Sequence, residues 1–352
     1  MPNLPFVSVI VPVKDRPSAT RILVQSFIDQ TYPESLRELI IVGDVQDTTW
    51  NGITDLAMTA GNVRVIETQV RSDGRDANAK RNVGLERAKG DILVLTDSDI
   101  VLPPTWLETG VKLLLNEEHE IVAGGEVSGS GGNFLAEYID RNPIGTKTPR
   151  MNPPYVLTAQ NAGKGKFKQP ITANLFFTRR VYEEVGGLDA DFVTPYEDFP
   201  YADMMVWKGF SILCTSELDA HHAHRDKATD LAKEYWRAGN GCADHVMRYG
   251  ASHLAKARTR QLAMVLVAVV TWIFMFASAP LVTHIATVAL VAIGSIAIAV
   301  KLRQPGAVLY LSITVILSAL FSAGMVRGFI WRLMVAQKPT EILSKDELVY
   351  QP

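Results

Sequence analysis

A chain of 352 residues with a net charge of −2 is long enough for one large domain and an appendage. Its Lys and Arg are scattered rather than striped, which excludes a nucleic-acid partner on electrostatic grounds. Cys214 and Cys242 are too few for a disulfide framework or a cysteine zinc site, and point to a reducing compartment.

The N-terminus, MPNLPFVSVIVPVKD, has no basic start, and its apolar run is too short for a signal peptide or a span. The region before residue 250 is therefore expected to work on the side of the membrane where it is made. Phe6 to Val13, a continuous β-branched run, reads as a central strand that stops at Lys14-Asp15-Arg16-Pro17. From Ser18 the apolar residues fall at helical spacing, so strand, polar loop and helix open a βαβ unit. Glu38 to Val42 repeats the pattern and runs into Gly43-Asp44, which puts Asp44 at a strand end beside Asp15. Val63 to Glu67 is a short third strand, and Ala77 to Ala88 is a helix with Arg81 and Asn82 near its start, where a cation suits a phosphate better than the helix dipole.

Lys89 to Pro104, KGDILVLTDSDIVLPP, reads as a buried strand ending in two carboxylates. Asp97 and Asp99 point the same way on an extended backbone, because the strand period is two. Such a pair at a strand's C-terminal end makes a hard-oxygen site for Mg²⁺ or Mn²⁺ carrying a phosphate. The alternative is an Asx-rich turn with no ligand. Gly124 to Pro170, rich in Gly, Asn, Pro and Lys, reads as a loop region. Three histidines in LDAHHAHR, residues 218–225, suggest metal or ring stacking; His222 and His224 share a face if the segment is extended. Leu231 to Arg248 is an amphipathic helix leading toward a bilayer.

Composition changes near residue 260. Leu262 to Val300 holds no Asp, Glu, Lys or Arg, which fits two spans of about 20 residues each with a break at Ser278-Ala279-Pro280. A third apolar run covers Pro305 to Val326. Lys256, Arg258 and Arg260 before the first span, and Lys301 and Arg303 after the second, put those flanks in the cytoplasm. A third full span would then put Arg327, Arg332 and Lys338 outside, so that run is either re-entrant or interfacial, or the charge rule is overridden.

The order of these features resembles the inverting family-two glycosyltransferases of GT-A fold, over roughly residues 6 to 225. The blocks are VSVIVPVKDR, IIVGDVQDTT, AKRNVGLERAKGDILVLTDSD, ITANLFFTRRVYEEVGGLDADF and PYEDFPYADMMVWKGFSI. The resemblance implies an α/β, Rossmann-like nucleotide-diphospho-sugar transferase domain at residues 1–225. An interface helix region at 226–260, a membrane domain at 261–335 and a polar tail at 336–352 follow. It implies a nucleotide-sugar donor, with a UDP-sugar expected, held by Pro12, Asp15, Asp44, Arg81 and Asp97. It also implies Mn²⁺ or Mg²⁺ on Asp97, Asp99 and His222, and Asp198 as the base that deprotonates an acceptor hydroxyl, with Glu197 as its local competitor. Asn174, Glu197 and Trp236 are then expected on the acceptor side. Trp236 also aligns with the Gln-x-x-Arg-Trp element of processive synthases, but Tyr235 and Ala232 stand where its Arg and Gln belong, so processivity is not expected. The expected whole is an integral protein of a bacterial inner membrane with a cytoplasmic catalytic domain and a lipid-linked or cell-envelope glycan acceptor. A polyprenyl-phosphate acceptor, or a non-catalytic nucleotide-binding scaffold, are the alternatives.

Overall fold

The computed structural model describes residues 4–68, 76–116, 119–128, 134–141, 151–164, 167, 169–192, 195–222, 227–278, 285, 293 and 307–335. Its strands are β1 (Val7–Pro12), β2 (Arg37–Gly43), β3 (Val63–Glu67), β4 (Ile92–Thr96), β5 (Ile100–Val101), β6 (Ile121–Val127), β7 (Tyr155–Leu157), β8 (Asn174–Thr178) and β9 (Ile212–His222). Among the described residues these form one mixed sheet in the order β3-β2-β1-β4-β8-β6-β9-β5, with β7 also paired to β9. The first four neighbours are parallel, and β8 runs antiparallel to β4. Strands β2 and β4 are buried along their whole length, as a sheet covered on both faces requires, and their branched apolar runs supply that surface.

One face of the sheet is covered by α1 (Pro17–Ile28) and α4 (Trp106–Asn116), through Leu23, Phe27, Trp106 and Val111. The other face carries α3 (Ala77–Arg87), α6 (Arg179–Val185) and α7 (Phe199–Trp207). The strands and helices expected before residue 100 are all present, within a residue or two. The expected loop over 124–170 is corrected: β6 reaches Val127, and α5 (Phe134–Arg141) and β7 lie within it. The adjacent Gly124 and Gly125 hid the second half of β6, whose partner strands β8 and β9 decide its conformation.

The C-terminal helices depart most from expectation. Helix α8 (Ala228–Arg248) buries Leu231, Tyr235, Cys242 and Ala243 in the same core as α7 and β4, so its apolar stripe faces the sheet domain and not a bilayer. Helix α9 (His253–Ser278) begins on that core through Leu254 and Leu262, and then presents Met264, Val267, Val270 and Phe274 outward. Helix α10 (Ala307–Val335) is longer than the third apolar run and packs along α8. The two helices run parallel in a four-residue register. Gly324 lies against the Trp236 backbone, Gly328 against Asn240, and Arg332 Nε donates to Asp244 Oδ1 at 2.9 Å. A Cβ at Gly324 would overlap the Trp236 carbonyl, so glycine is what allows this approach. Leu317, Phe321 and Met325 of α10 join the domain core, while Val315, Ile316, Ile330 and Leu333 remain exposed. Among the described residues one stretch, Ser312–Met334 of α10, is long and apolar enough to cross a membrane. The second expected span, after Pro280, lies outside the described residues.

Candidate active site

The C-terminal ends of β1, β2 and β4 open onto one edge of the sheet, where ligands of parallel α/β sheets bind. The β1 loop is shaped by Asp15, which takes a positive φ of 50°. Its Oδ1 accepts from Thr48 N at 3.3 Å and Thr48 Oγ1 at 3.0 Å, and its own N–H donates to Asp47 Oδ1. The Thr48 backbone and hydroxyl hydrogen bonds hold the Asp15 carboxyl below its ordinary range. Asp15 therefore ties the β1 loop to the β2 loop. Pro12 closes β1 opposite Val42.

Asp44 is held by Lys80, a residue that sequence reasoning did not select. Lys80 Nζ is almost wholly buried and lies 3.0 Å from Asp44 Oδ2, 3.2 Å from Asp76 Oδ2 and 3.0 Å from the Val13 carbonyl. A buried ammonium needs such pairing. The i,i+4 spacing of Asp76 and Lys80 was the available signal.

Arg81 and the two aspartates of the β4 turn separate into two ion pairs. Arg81, also buried, donates from Nη2 to Asp97 Oδ1 at 2.8 Å and from Nη1 to Asn78 Oδ1 at 3.0 Å. Its Nη1 is also 3.9 Å from Glu197 Oε1, so Arg81 stands between the two acidic clusters. Asp99 instead meets Arg16 and His222, with His222 Nε2 at 3.3 Å from Asp99 Oδ2. Pairing of β5 with β9 sets Ile100 opposite His222, which brings the histidine beside Asp99. Burial works against the Asp99 charge, but the His222 hydrogen bond and charge and the Arg16 guanidinium outweigh it, leaving the carboxyl well below the usual range. Glu126 Oε2 lies 3.9 Å from His222 Nδ1, on the far side of the ring. His224 lies outside the described residues.

Among the described residues no three His, Cys, Asp or Glu side chains converge on one point. Two protein donors still fit a hard cation that keeps water and takes phosphate oxygens. Neighbouring ligands on an octahedral cation with bonds of about 2.1 Å are about 3 Å apart. The Asp99 and His222 atoms are 3.3 Å apart, and Asp97 is paired with Arg81 at 2.8 Å.

Asp198 is the N-cap residue of α7 and follows Glu197 in a half-buried turn. Burial and the neighbouring Glu197 carboxylate push its carboxyl up to about 8, against the pull of Arg81. Burial likewise raises Glu197. Both line a cavity of about 680 Å³ together with Tyr196, Phe199, Tyr235 and Phe321. Asn174, expected on the acceptor side, is instead fully buried in β8. Its Nδ2 donates to the Leu218 and Gly125 carbonyls and its Oδ1 accepts from Trp106 Nε1, so it stitches β8 to its neighbours. Trp236 does not line this cavity; α8 turns Tyr235 and Ala238 into it.

A parallel nucleotide-binding half, an antiparallel extension and an acidic pair at a helix start define a GT-A glycosyltransferase fold. The glycosyl transferase family 2 model matches residues 8–186, about half of the chain, and the chain belongs to that family. It is 26% identical over 241 residues, 68% of its length and 73% of the relative's, to glycosyltransferase AglE of Haloferax volcanii. It shares its fold with the mannosyltransferase PcManGT of Pyrobaculum calidifontis, solved with GDP-Man and Mn²⁺. That match has a TM-score of 0.61 at 19% identity and covers 94% of this chain and 88% of that one. TarS of S. aureus matches with a TM-score of 0.51 at 14% identity, over 73% of this chain and 42% of that one.

Proposed function

We propose that this protein is a membrane-anchored inverting glycosyltransferase that moves a sugar from a nucleotide-diphosphate donor to a hydroxyl of a lipid-linked or cell-envelope glycan. The observation that carries the reading is the arrangement, across Arg81, of an aspartate pair that meets Arg81 and Arg16 and a half-buried acidic pair that lines a cavity. The Pyrobaculum neighbour's GDP-Man and Mn²⁺ support a nucleotide-sugar donor and a divalent ion, and widen the donor from a UDP-sugar to a UDP- or GDP-sugar.

In this reading the β1 and β2 loops take the nucleoside, with Asp44 facing the base and Asp15 holding the loop. Asp99 and His222 would hold Mn²⁺ or Mg²⁺, which would supply Lewis-acid stabilisation of the diphosphate leaving group. Arg81 adds a charge-assisted contact to the same phosphates. Asp198 takes the proton from the acceptor hydroxyl as its oxygen bonds to the anomeric carbon. The bond from that carbon to the diphosphate oxygen breaks with the electron pair leaving on the diphosphate, which inverts the anomeric centre. Residues 1–225 carry this chemistry, and α8 and the apolar helices form the membrane side. The basic flank at Lys256, Arg258 and Arg260 supports a cytoplasmic catalytic domain.

Lys233 and Arg237 at the same cavity favour a second reading, a polyprenyl-phosphate acceptor that needs no base. Glu126, Asp230 and Glu234 line it too and weigh against a phosphate there. The test is a panel of UDP- and GDP-sugars with purified protein in detergent, Mn²⁺ or Mg²⁺, and a membrane-lipid extract, scored by nucleoside diphosphate release. Release that needs metal and extract and is lost in Asp198→Asn supports the hydroxyl acceptor; release retained in Asp198→Asn supports the phosphate acceptor. No release from any donor by a protein that binds UDP or GDP would overturn both.

A further inference from the structure

Tyr196 immediately precedes the Glu197-Asp198 pair and is the residue through which the C-terminal helices reach it. It holds a φ of 110° although it carries a bulky side chain, and it is buried. A backbone of this kind persists only where its surroundings over-determine it. Here they come from four helices. The Tyr196 ring stacks on Phe199 of α7 with centroids 4.1 Å apart, tilts against His245 of α8 at 5.7 Å and meets Phe321 of α10 at 6.4 Å. Its hydroxyl accepts from Arg258 Nε of α9 at 3.1 Å, and the Arg258 guanidinium in turn sits over the Phe321 ring at 5.6 Å.

The backbone of the same turn is backed just as closely. A Cβ at Gly241 of α8 would overlap the Pro195 carbonyl, so only glycine lets α8 lie directly behind the turn. His245, wholly buried, is in turn 3.4 Å from Asp203 Oδ2 of α7, the helix at whose N-terminus Asp198 stands. The cavity in front of Asp198 is walled by Tyr196 and by Phe321, one from the catalytic turn and one from the last helix.

We propose that Tyr196 and Arg258 are positioning residues for Asp198, and that the helices after the catalytic domain complete the active site as well as tether it. The proposal rests on the reading of Asp198 as the base. Arg258 stands 60 residues beyond the base in the chain, yet the hydrogen bond from its guanidinium fixes the ring that determines the backbone from which Asp198 projects.

The experiment uses the full chain in detergent with the donor panel and lipid extract described above. Tyr196→Phe keeps the ring and removes the hydroxyl; Arg258→Gln removes the donor cation; Arg258→Lys restores a charged donor. A misplacement of a reacting group by about 1 Å is enough to lower the rate by up to roughly a hundredfold. Tyr196→Phe and Arg258→Gln are accordingly expected to lower kcat by roughly tenfold to a hundredfold, with the donor KM and the binding of UDP and GDP with Mn²⁺ unchanged. Arg258→Lys is expected to recover most of that loss. Unchanged kcat in both variants, with Asp198→Asn inactive, overturns the positioning role and leaves the base reading intact. A loss of kcat accompanied by a parallel loss of nucleotide binding, or one that Arg258→Lys does not relieve, also overturns it, because either marks a general structural defect. If Asp198→Asn retains full activity, the base reading fails and the positioning role falls with it.

Discussion

Two acidic pairs face each other across Arg81, and the fold gives them different electrostatic surroundings. Asp97 and Asp99 end a parallel strand in a turn where every carboxylate meets a cation: Arg81 on one, Arg16 and His222 on the other. Glu197 and Asp198 stand at the start of α7 with Arg81 3.9 Å from Glu197; burial raises both carboxyls, and the Glu197 carboxylate raises Asp198 further. The same side-chain chemistry thus suits an electrostatic cradle in one place and proton acceptance in the other. Residues whose environments push their pKa values apart are the expected signature of a divided labour between charge stabilisation and general base.

The comparison breaks most visibly at Asp198. Asp198→Asn keeps the size of the side chain and removes the basic oxygen, so kcat is expected to fall by roughly 10²–10⁴-fold with UDP and GDP binding retained. Steady-state kinetics with a binding titration checks both halves. The next largest effect is on pH dependence. The proposed base role requires an ionised Asp198, so on that proposal kcat should rise with pH through a limb lying above the ordinary aspartate range, near the value of about 8 to which the group is pushed. Glu197→Gln removes a neighbouring like charge and should move that limb to lower pH; a limb that stays put would mean that Glu197 is not what raises Asp198.

Stability should respond in the opposite sense. Asp198 binds its proton more tightly in the fold than in the unfolded chain, so its contribution is most favourable below about pH 4 and is lost as pH rises through the folded value. Asp198→Asn should therefore raise Tm by a few degrees at pH 9 and leave it unchanged at pH 4. Calorimetry at the two pH values checks the sign. The smallest effect belongs to Arg16, a part-exposed partner of Asp99. Pairs of this kind contribute about 0–1 kcal/mol, so Arg16→Gln should leave Tm almost unchanged, as a melting curve at low salt would show.

The left half of the sheet was legible because its signals are local. Branched runs at Val7–Pro12, Arg37–Gly43 and Ile92–Thr96 alternate with helical spacings, and each strand ends where a charged or glycine-rich turn begins. That also located Asp44, Asp97 and Asp99 at one edge. Lys80 stayed hidden, since its i,i+4 spacing from Asp76 marks a helix pair but does not say that the ammonium is buried beneath the β1 and β2 loops. Asn174 was misplaced for a related reason: an amide in a strand reads equally as a site residue or a strand tie, and only the Leu218, Gly125 and Trp106 partners decide.

The C-terminal helices divide the same way. Their length, apolarity and basic flanks follow from composition, because the transfer of a segment into a membrane depends on its own side chains. Their docking does not. The α8 stripe that suits a bilayer suits the protein core equally well, and α10 combines a face that packs with a face that stays exposed. Which surface each stripe meets is set by glycines at 241 and 324 that admit a neighbouring backbone, and by single long-range partners such as Asp244 with Arg332 and Tyr196 with Arg258. Periodicity along a chain is a local property and declares itself in the sequence. The choice between two apolar surroundings, and the meeting of Tyr196 with an arginine 62 residues away, depends on shape complementarity between distant segments, which exists only once the chain has folded.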